Sequence, residues 1–343
     1  MSGALARPRA ACGRVPALPP GPRRPAGRGR GRAGRCRARK RTRERAGRRS
    51  RSAEAPEGAD APRPWLDRLA PCDPGAAGGW AVPWGGGAVA GGMLAWVLCF
   101  GFVGVVLTPA AGVGLGLLGP EGVTGPKSGP YLLFVNQCLE TAAGLGALYL
   151  VVKRATPEGE ELPPDLFAFG AAGGDAAWRP EDGWALWALV GMAATPVAVG
   201  ATALAMAAAG LQDTSGSGTA DVVVSTLSTD PAVEAAVFSV TSVLAPALEE
   251  VVFRGFLLTS LTKWMGVVPA SLVSAGFFGA AHLSARDLPQ LCAVGTVLGL
   301  VYSRSKNLLT PMLVHSFWNS GVLLLLLYLI GTGQDVERLL HAG

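Results

Sequence analysis

Residues 246–254 read Pro-Ala-Leu-Glu-Glu-Val-Val-Phe-Arg, two carboxylates and a guanidinium set between the apolar runs Val237–Leu244 and Val251–Leu258. Each Glu or Arg near the centre of a membrane-crossing helix costs ~2.5–3.5 kcal/mol on insertion scales, so these groups need partners or a wet cavity. Helical spacing supplies one pairing: Glu250 and Arg254 are four apart, share a face and can join as carboxylate and guanidinium. Glu249 lies about 100° round the helix, with no basic residue three or four positions away. A structural ion pair is a sufficient reading of Glu250 with Arg254 and a poor one of Glu249.

Outward from this stretch the chain is a series of apolar runs, each near the ~20 residues that cross a bilayer. They are Gly86–Leu107, Tyr131–Val152, Trp184–Ala209, Ala232–Leu258, Gly266–Leu283, Leu288–Tyr302 and Leu308–Ile330. The expected fold is all-α, a polytopic membrane bundle of about seven transmembrane helices round a polar intramembrane cavity. Gly112–Leu118 is apolar but short, and reads as re-entrant or as an extension of the first helix. If the spans alternate, Lys153, Arg154, Lys263, Arg304 and Lys306 share one face, and the positive-inside bias makes it stroma, matrix or cytosol. Pro246 and Pro311 each precede polar residues, where a proline kinks a helix and frees a carbonyl, or merely adjusts packing. The pairs Gly87/Gly91, Gly112/Gly116 and Gly295/Gly299 are weak signals of close helix approach in a chain with 48 glycines.

Half the residues are hydrophobic and 16% are charged, yet the net charge is +6. Residues 1–53 hold 18 Lys and Arg against Glu44 alone, so the leader is +17 and the remaining body −11. A basic, acid-poor start with no apolar core reads as an organelle transit peptide; a disordered nucleic-acid-binding arm is the rival reading. The domain expectation is therefore a leader at 1–53 and a linker at 54–85 with no core of its own. N-terminal helices follow at 86–230, a catalytic membrane domain at 231–330 and a tail at 331–343. Six cysteines without a C-x-x-C spacing indicate neither a zinc knuckle nor a disulfide framework.

Two further polar sites interrupt the apolar runs, Phe278-Gly-Ala-Ala-His282 and His315-Ser-Phe-Trp-Asn319. Each histidine alone reads more readily as packing than as chemistry. Counted at 1.5 Å per residue from the Lys263 and Lys306 turns, Glu249, His282, His315 and Asn319 fall at roughly 12–24 Å depth. Three helices can thus bring them, with Glu250, into one cavity. A glutamate, two imidazoles and an amide suit hydrolysis: the carboxylate takes a proton from water, and imidazole and amide donors hold a tetrahedral oxyanion. The same side-chain types can also hold Zn²⁺, with ligands from three separate helices.

Glu-Glu-x-x-x-Arg at Glu249, Glu250 and Arg254, Phe-x-x-x-His at Phe278 and His282, and His-x-x-x-Asn at His315 and Asn319 together resemble the CPBP family of intramembrane proteases. That family includes type II CAAX prenyl endopeptidase-like and lysostaphin-resistance-like members, and the likeness covers about 232–327. The text Leu-Leu-Thr-Pro-Met-Leu-Val-His and Ala-His-Leu-Ser-Ala-Arg-Asp-Leu-Pro-Gln-Leu is similar to chloroplast-targeted members of plants and algae. The resemblance implies a multi-pass thylakoid or envelope endopeptidase in which Glu249 and His282 activate water and His315 and Asn319 form the oxyanion site. Glu250, Arg254 and Phe278 support them. It implies a membrane or lipidated protein substrate within the bilayer, no nucleic-acid partner and no cofactor; in the zinc alternative Glu249, His282 and His315 are the ligands. A non-proteolytic membrane scaffold on the same fold is the second function the resemblance allows.

Overall fold

Each of the seven apolar runs is a helix in the computed structural model, which describes residues 79–171, 173–211, 218–227 and 230–334. The basic leader, residues 54–78 of the expected linker and the tail from 335 lie outside the described residues. Five helices are long and apolar enough to cross a membrane: α1 Gly86–Gly114, α2 Ser128–Ala155, α3 Trp184–Ala208, α5 Pro231–Leu261 and α8 Leu309–Gly331. A short amphipathic helix, α4 Thr219–Thr226, precedes α5. Between α5 and α8 lie α6 Val267–Ala281, 15 residues, and α7 Leu288–Ser305, 18 residues.

Those two are not among the helices long and apolar enough to cross a membrane, so five of the about seven expected spans are found among the described residues. Fifteen residues make a helix of ~22 Å, short of a ~30 Å hydrocarbon core. Helices α6 and α7 form a hairpin whose turn runs from Ser284 to Asp287. Helix α4 covers that turn: Thr219 donates from its backbone N (2.6 Å) and Oγ1 (2.9 Å) to Asp287 Oδ2, and Arg286 Nη1 donates to Asp221 Oδ2 at 3.3 Å. Gly112–Leu118 resolves in favour of extension, since α1 runs on to Gly114 before a minimal hairpin pairing Leu118 with Val123.

Helix α5 starts where its sequence says it should. Asp230 caps it, accepting from Ala232 N at 2.9 Å and Val233 N at 3.3 Å, and Pro231 occupies the first turn, where no N–H is needed. Two stretches of α5, Val240–Leu244 and Val251–Leu258, widen to π-helical spacing on either side of Ala245–Glu250. Such bulges re-aim side chains and recur at functional sites. Pro246 explains the first: in that register its missing N–H would have bonded Thr241 O, and this carbonyl accepts Asn319 Nδ2 at 2.8 Å instead. Pro311 does not kink its helix, because it falls in the first turn of α8.

The core gathers round the C-terminal half of α5, where Val252, Phe253, Phe256, Leu257 and Leu258 are buried. Trp80, Val82 and Trp84 join it, so the last residues of the segment read as a coreless linker belong to the core. Aromatic area is the reason. Trp80 stacks on Tyr302 at 5.0 Å, Trp84 Nε1 donates to Ser260 Oγ at 2.9 Å, and Lys263 Nζ donates to the Trp84 carbonyl at 2.6 Å. Helices α6 and α7 pack closely because Gly295 and Gly299 carry no Cβ: one on Gly295 would lie 2.9 Å from Ala275 Cβ, and one on Gly299 3.0 Å from Ser271 Cβ. A Cβ on Gly87 or Gly91 would meet open space, so that pair is not what lets helices approach closely.

Candidate active site

Glu250 and Arg254 pair as their spacing predicts, and both are fully buried. Arg254 Nη1 donates to Glu250 Oε1 at 2.9 Å, Nη2 donates to Gly295 O at 3.1 Å, and the guanidinium lies 4.7 Å from the Phe278 ring centroid. The same Glu250 oxygen accepts from His315 Nδ1 at 2.9 Å. A carboxylate bonded to Nδ1 fixes the imidazole's rotation and leaves Nε2 as its working atom. That atom lies 3.8 Å from Glu249 Oε2, and Glu249 keeps 21% of its side chain accessible while Glu250 keeps none. The two adjacent carboxylates are thus separated by exposure: one is locked behind the histidine, the other faces the space in front.

His282 caps the C-terminal end of α6. Its Nδ1 lies 2.8 Å from Phe278 O, and since a carbonyl only accepts, Nδ1 carries the proton and Nε2 presents a lone pair. Phe278 accounts for the Phe-x-x-x-His spacing. Its carbonyl orients His282, and its buried ring meets both imidazoles edge-on, at 4.8 Å from His282 and 5.6 Å from His315. Asn319 commits one N–H to Thr241 O, and its amide retains a second.

Glu249, His282, His315 and Asn319 all line one cavity of about 330 Å³, with Phe278, and Glu250 and Arg254 sit behind its wall. The rest of the wall is largely apolar, including Val199, Leu291, Val294, Trp318 and Leu323, with Thr219 and Val223 of α4 at one side. Sequence reading missed Thr241, whose freed carbonyl positions Asn319, and the contribution of α4. It also missed Glu140 of α2, 5% exposed and within electrostatic range of Glu249. The signal for Glu140 was present, since a lone acid in an apolar run carries the same insertion cost that singled out Glu249.

The zinc reading requires three ligands around one point. Among the described residues no three His, Cys, Asp or Glu side chains are so arranged, while each histidine's Nδ1 is held by a protein acceptor and Nε2 is left as the atom a metal would use. The site as built does not fit a three-ligand zinc, and no step below passes through a metal.

Residues 231–321 match the family described as Type II CAAX prenyl endopeptidase, Rce1-like. The chain is 30% identical over 86 residues to the "Putative membrane peptidase YdiL" of Bacillus subtilis, covering 25% of this chain and 35% of that protein. It is 36% identical over 77 residues to CAAX prenyl protease 2 of Rattus norvegicus, covering 22% of this chain and 25% of that protein. The chain thus spans about a third and a quarter of the length of these curated relatives. No solved structure matches it.

Proposed function

We propose, from the Rce1-like CAAX prenyl endopeptidase family domain at residues 231–321, that this multi-pass membrane protein is an intramembrane peptidase. Its substrate is a membrane-associated or lipidated protein, and its nucleophile is a water activated by Glu249. The observation that carries the reading is the unequal treatment of the two adjacent glutamates. Glu250 is fully enclosed by Arg254 and His315, while Glu249 reaches the cavity with His315 Nε2 at 3.8 Å.

In this scheme water stands between Glu249 and the His282 Nε2 lone pair, and its oxygen attacks the scissile carbonyl carbon as its proton passes to Glu249. The carbonyl oxygen becomes an oxyanion and takes hydrogen bonds from the second Asn319 N–H and from His315 Nε2. His315 donates there in its doubly protonated form, with its Nδ1–H held by Glu250. Collapse breaks the C–N bond, and Glu249 returns the proton to the leaving nitrogen. The apolar wall excludes bulk water and strengthens each of these interactions.

The basic leader supports a plastid membrane as the protein's location. Complementation tests the function. In a host lacking the protein, Glu249→Gln is expected to insert normally and fail to restore the phenotype; full rescue would assign the chain to the scaffold class instead.

A further inference from the structure

A second cavity, about 740 Å³, lies on the other side of α5 from the catalytic one, between α2, α8 and the segment 157–170. It is an arranged feature. Phe167 adopts a left-handed backbone (φ 56) and sets its ring against Gly255, where a Cβ would lie 2.8 Å from it. The segment is tied down by Leu308 N donating to Ala168 O at 2.8 Å and Asn307 Nδ2 donating to Gly170 O at 2.6 Å. The α2 wall runs from Leu145 to Val152, eight residues from Leu145 to Lys153 or ~12 Å along the helix axis. It is apolar throughout, and Tyr149 and Leu145 are open to the lipid side.

The mouth is different. Lys153, in the last turn of α2, lines the cavity with its Nζ 5.8 Å from the Tyr149 ring centroid, and Glu158, in the turn beyond the helix end, lines it too. The cavity thus joins a hydrocarbon wall to one cation and one carboxylate. A phospholipid with an amine headgroup presents the complementary set of acyl chain, phosphate and ammonium. We propose that this groove binds such a zwitterionic phospholipid, with one chain along Leu145–Val152, the phosphate on Lys153 Nζ and the ammonium toward Glu158. An isoprenoid tail would satisfy the wall and leave both charges uncomplemented. An anionic lipid would satisfy Lys153 and be repelled by Glu158. The floor is formed by Val251 and Met312, next to Glu250 in sequence and three residues before His315 respectively, so an occupying chain buttresses the two helices that carry the buried carboxylate and its histidine.

The test uses full-length protein in mild detergent with phosphatidylethanolamine, phosphatidylglycerol or an S-prenylated peptide as probe, read by native mass spectrometry and by the thermal midpoint. Phosphatidylethanolamine is expected to be retained and to raise the midpoint saturably. Lys153→Gln and Glu158→Gln, both at exposed positions, should each weaken it about fivefold, the effect of ~1 kcal/mol per interfacial charge. Glu158→Gln should not weaken phosphatidylglycerol, and Leu145→Trp, which fills the groove, should abolish saturation. Equal binding of phosphatidylethanolamine by both Gln variants, tighter binding of phosphatidylglycerol than of phosphatidylethanolamine, or displacement of the phospholipid by the prenylated peptide would each overturn the proposal.

Discussion

Arg254→Met removes a charge from the most enclosed point of the bundle while keeping an apolar stem of similar length. Three interactions end: the 2.9 Å bond to Glu250, the 3.1 Å bond to Gly295 O, and the contact with the Phe278 face. Breaking one side of a buried pair costs about 3–5 kcal/mol, mostly by leaving the partner's charge uncompensated. Here Glu250 Oε1 still accepts from His315 Nδ1 at 2.9 Å, and a charge-assisted bond of that kind offsets about 1.5–3 kcal/mol. The Gly295 carbonyl loses its side-chain donor but, inside α7, keeps its helical one, so it adds little. The retained His315 bond puts the cost at the low end of the range, and the expected loss is about 3 kcal/mol, roughly a hundredfold in the folded ratio. The assay is thermal denaturation of the purified protein followed by size-exclusion chromatography. The double variant Glu250→Gln with Arg254→Met removes both charges and should recover most of the loss. A single variant as stable as the parent, or a double no better than the single, would refute the reasoning.

Asn319→Leu should lower cleavage more than it lowers stability, because it removes an oxyanion donor worth ~3 kcal/mol of transition-state binding and leaves Thr241 O unmet; initial rates and thermal midpoints measured side by side check this. Gly295→Val should destabilise by about 1–3 kcal/mol through overpacking against Ala275, seen as a lower thermal midpoint. Outside the membrane-spanning segments, Lys127 pairs with Asp230, and the hydrogen bond from Lys127 holds the Asp230 carboxyl below its ordinary value while Asp230 raises Lys127. The Asp230 contribution is present above the unfolded carboxylate's titration and is lost as pH falls through the lowered folded value. The Lys127 contribution is lost as pH rises through its raised value. Asp230→Asn should therefore flatten the acid side of the stability profile, by a small amount at so exposed a pair.

The seven apolar runs and the Glu250–Arg254 pair were legible because insertion cost and helical period act on short stretches of sequence. Convergence of His282, His315 and Asn319 followed from depth counting, which needs only the rise per residue. Three things were not legible. The π-helical widening of α5 depends on how Pro246 is accommodated, and a proline alone does not say which carbonyl it frees or that Asn319 will take it. His315 bonds Glu250 through Nδ1, a choice set by the packing of α8 on α5. Trp80, Val82 and Trp84 lie in a Pro, Ala and Gly-rich stretch, where local composition argues for a linker, and partners such as Tyr302, Ser260 and Lys263, more than 175 positions away, give those aromatics a place in the core.

The central claim is that Glu249 takes the proton from the attacking water, and its most direct test is peptide-bond hydrolysis by the purified full-length protein and by Glu249→Gln in the same vesicles. The substitution preserves size and removes a charge from the bilayer interior, so insertion and thermal midpoint should be equal to or better than the parent's. The account predicts cleavage of a membrane-anchored peptide by the parent and none by Glu249→Gln. Cleavage by Glu249→Gln at the parent's rate would contradict it.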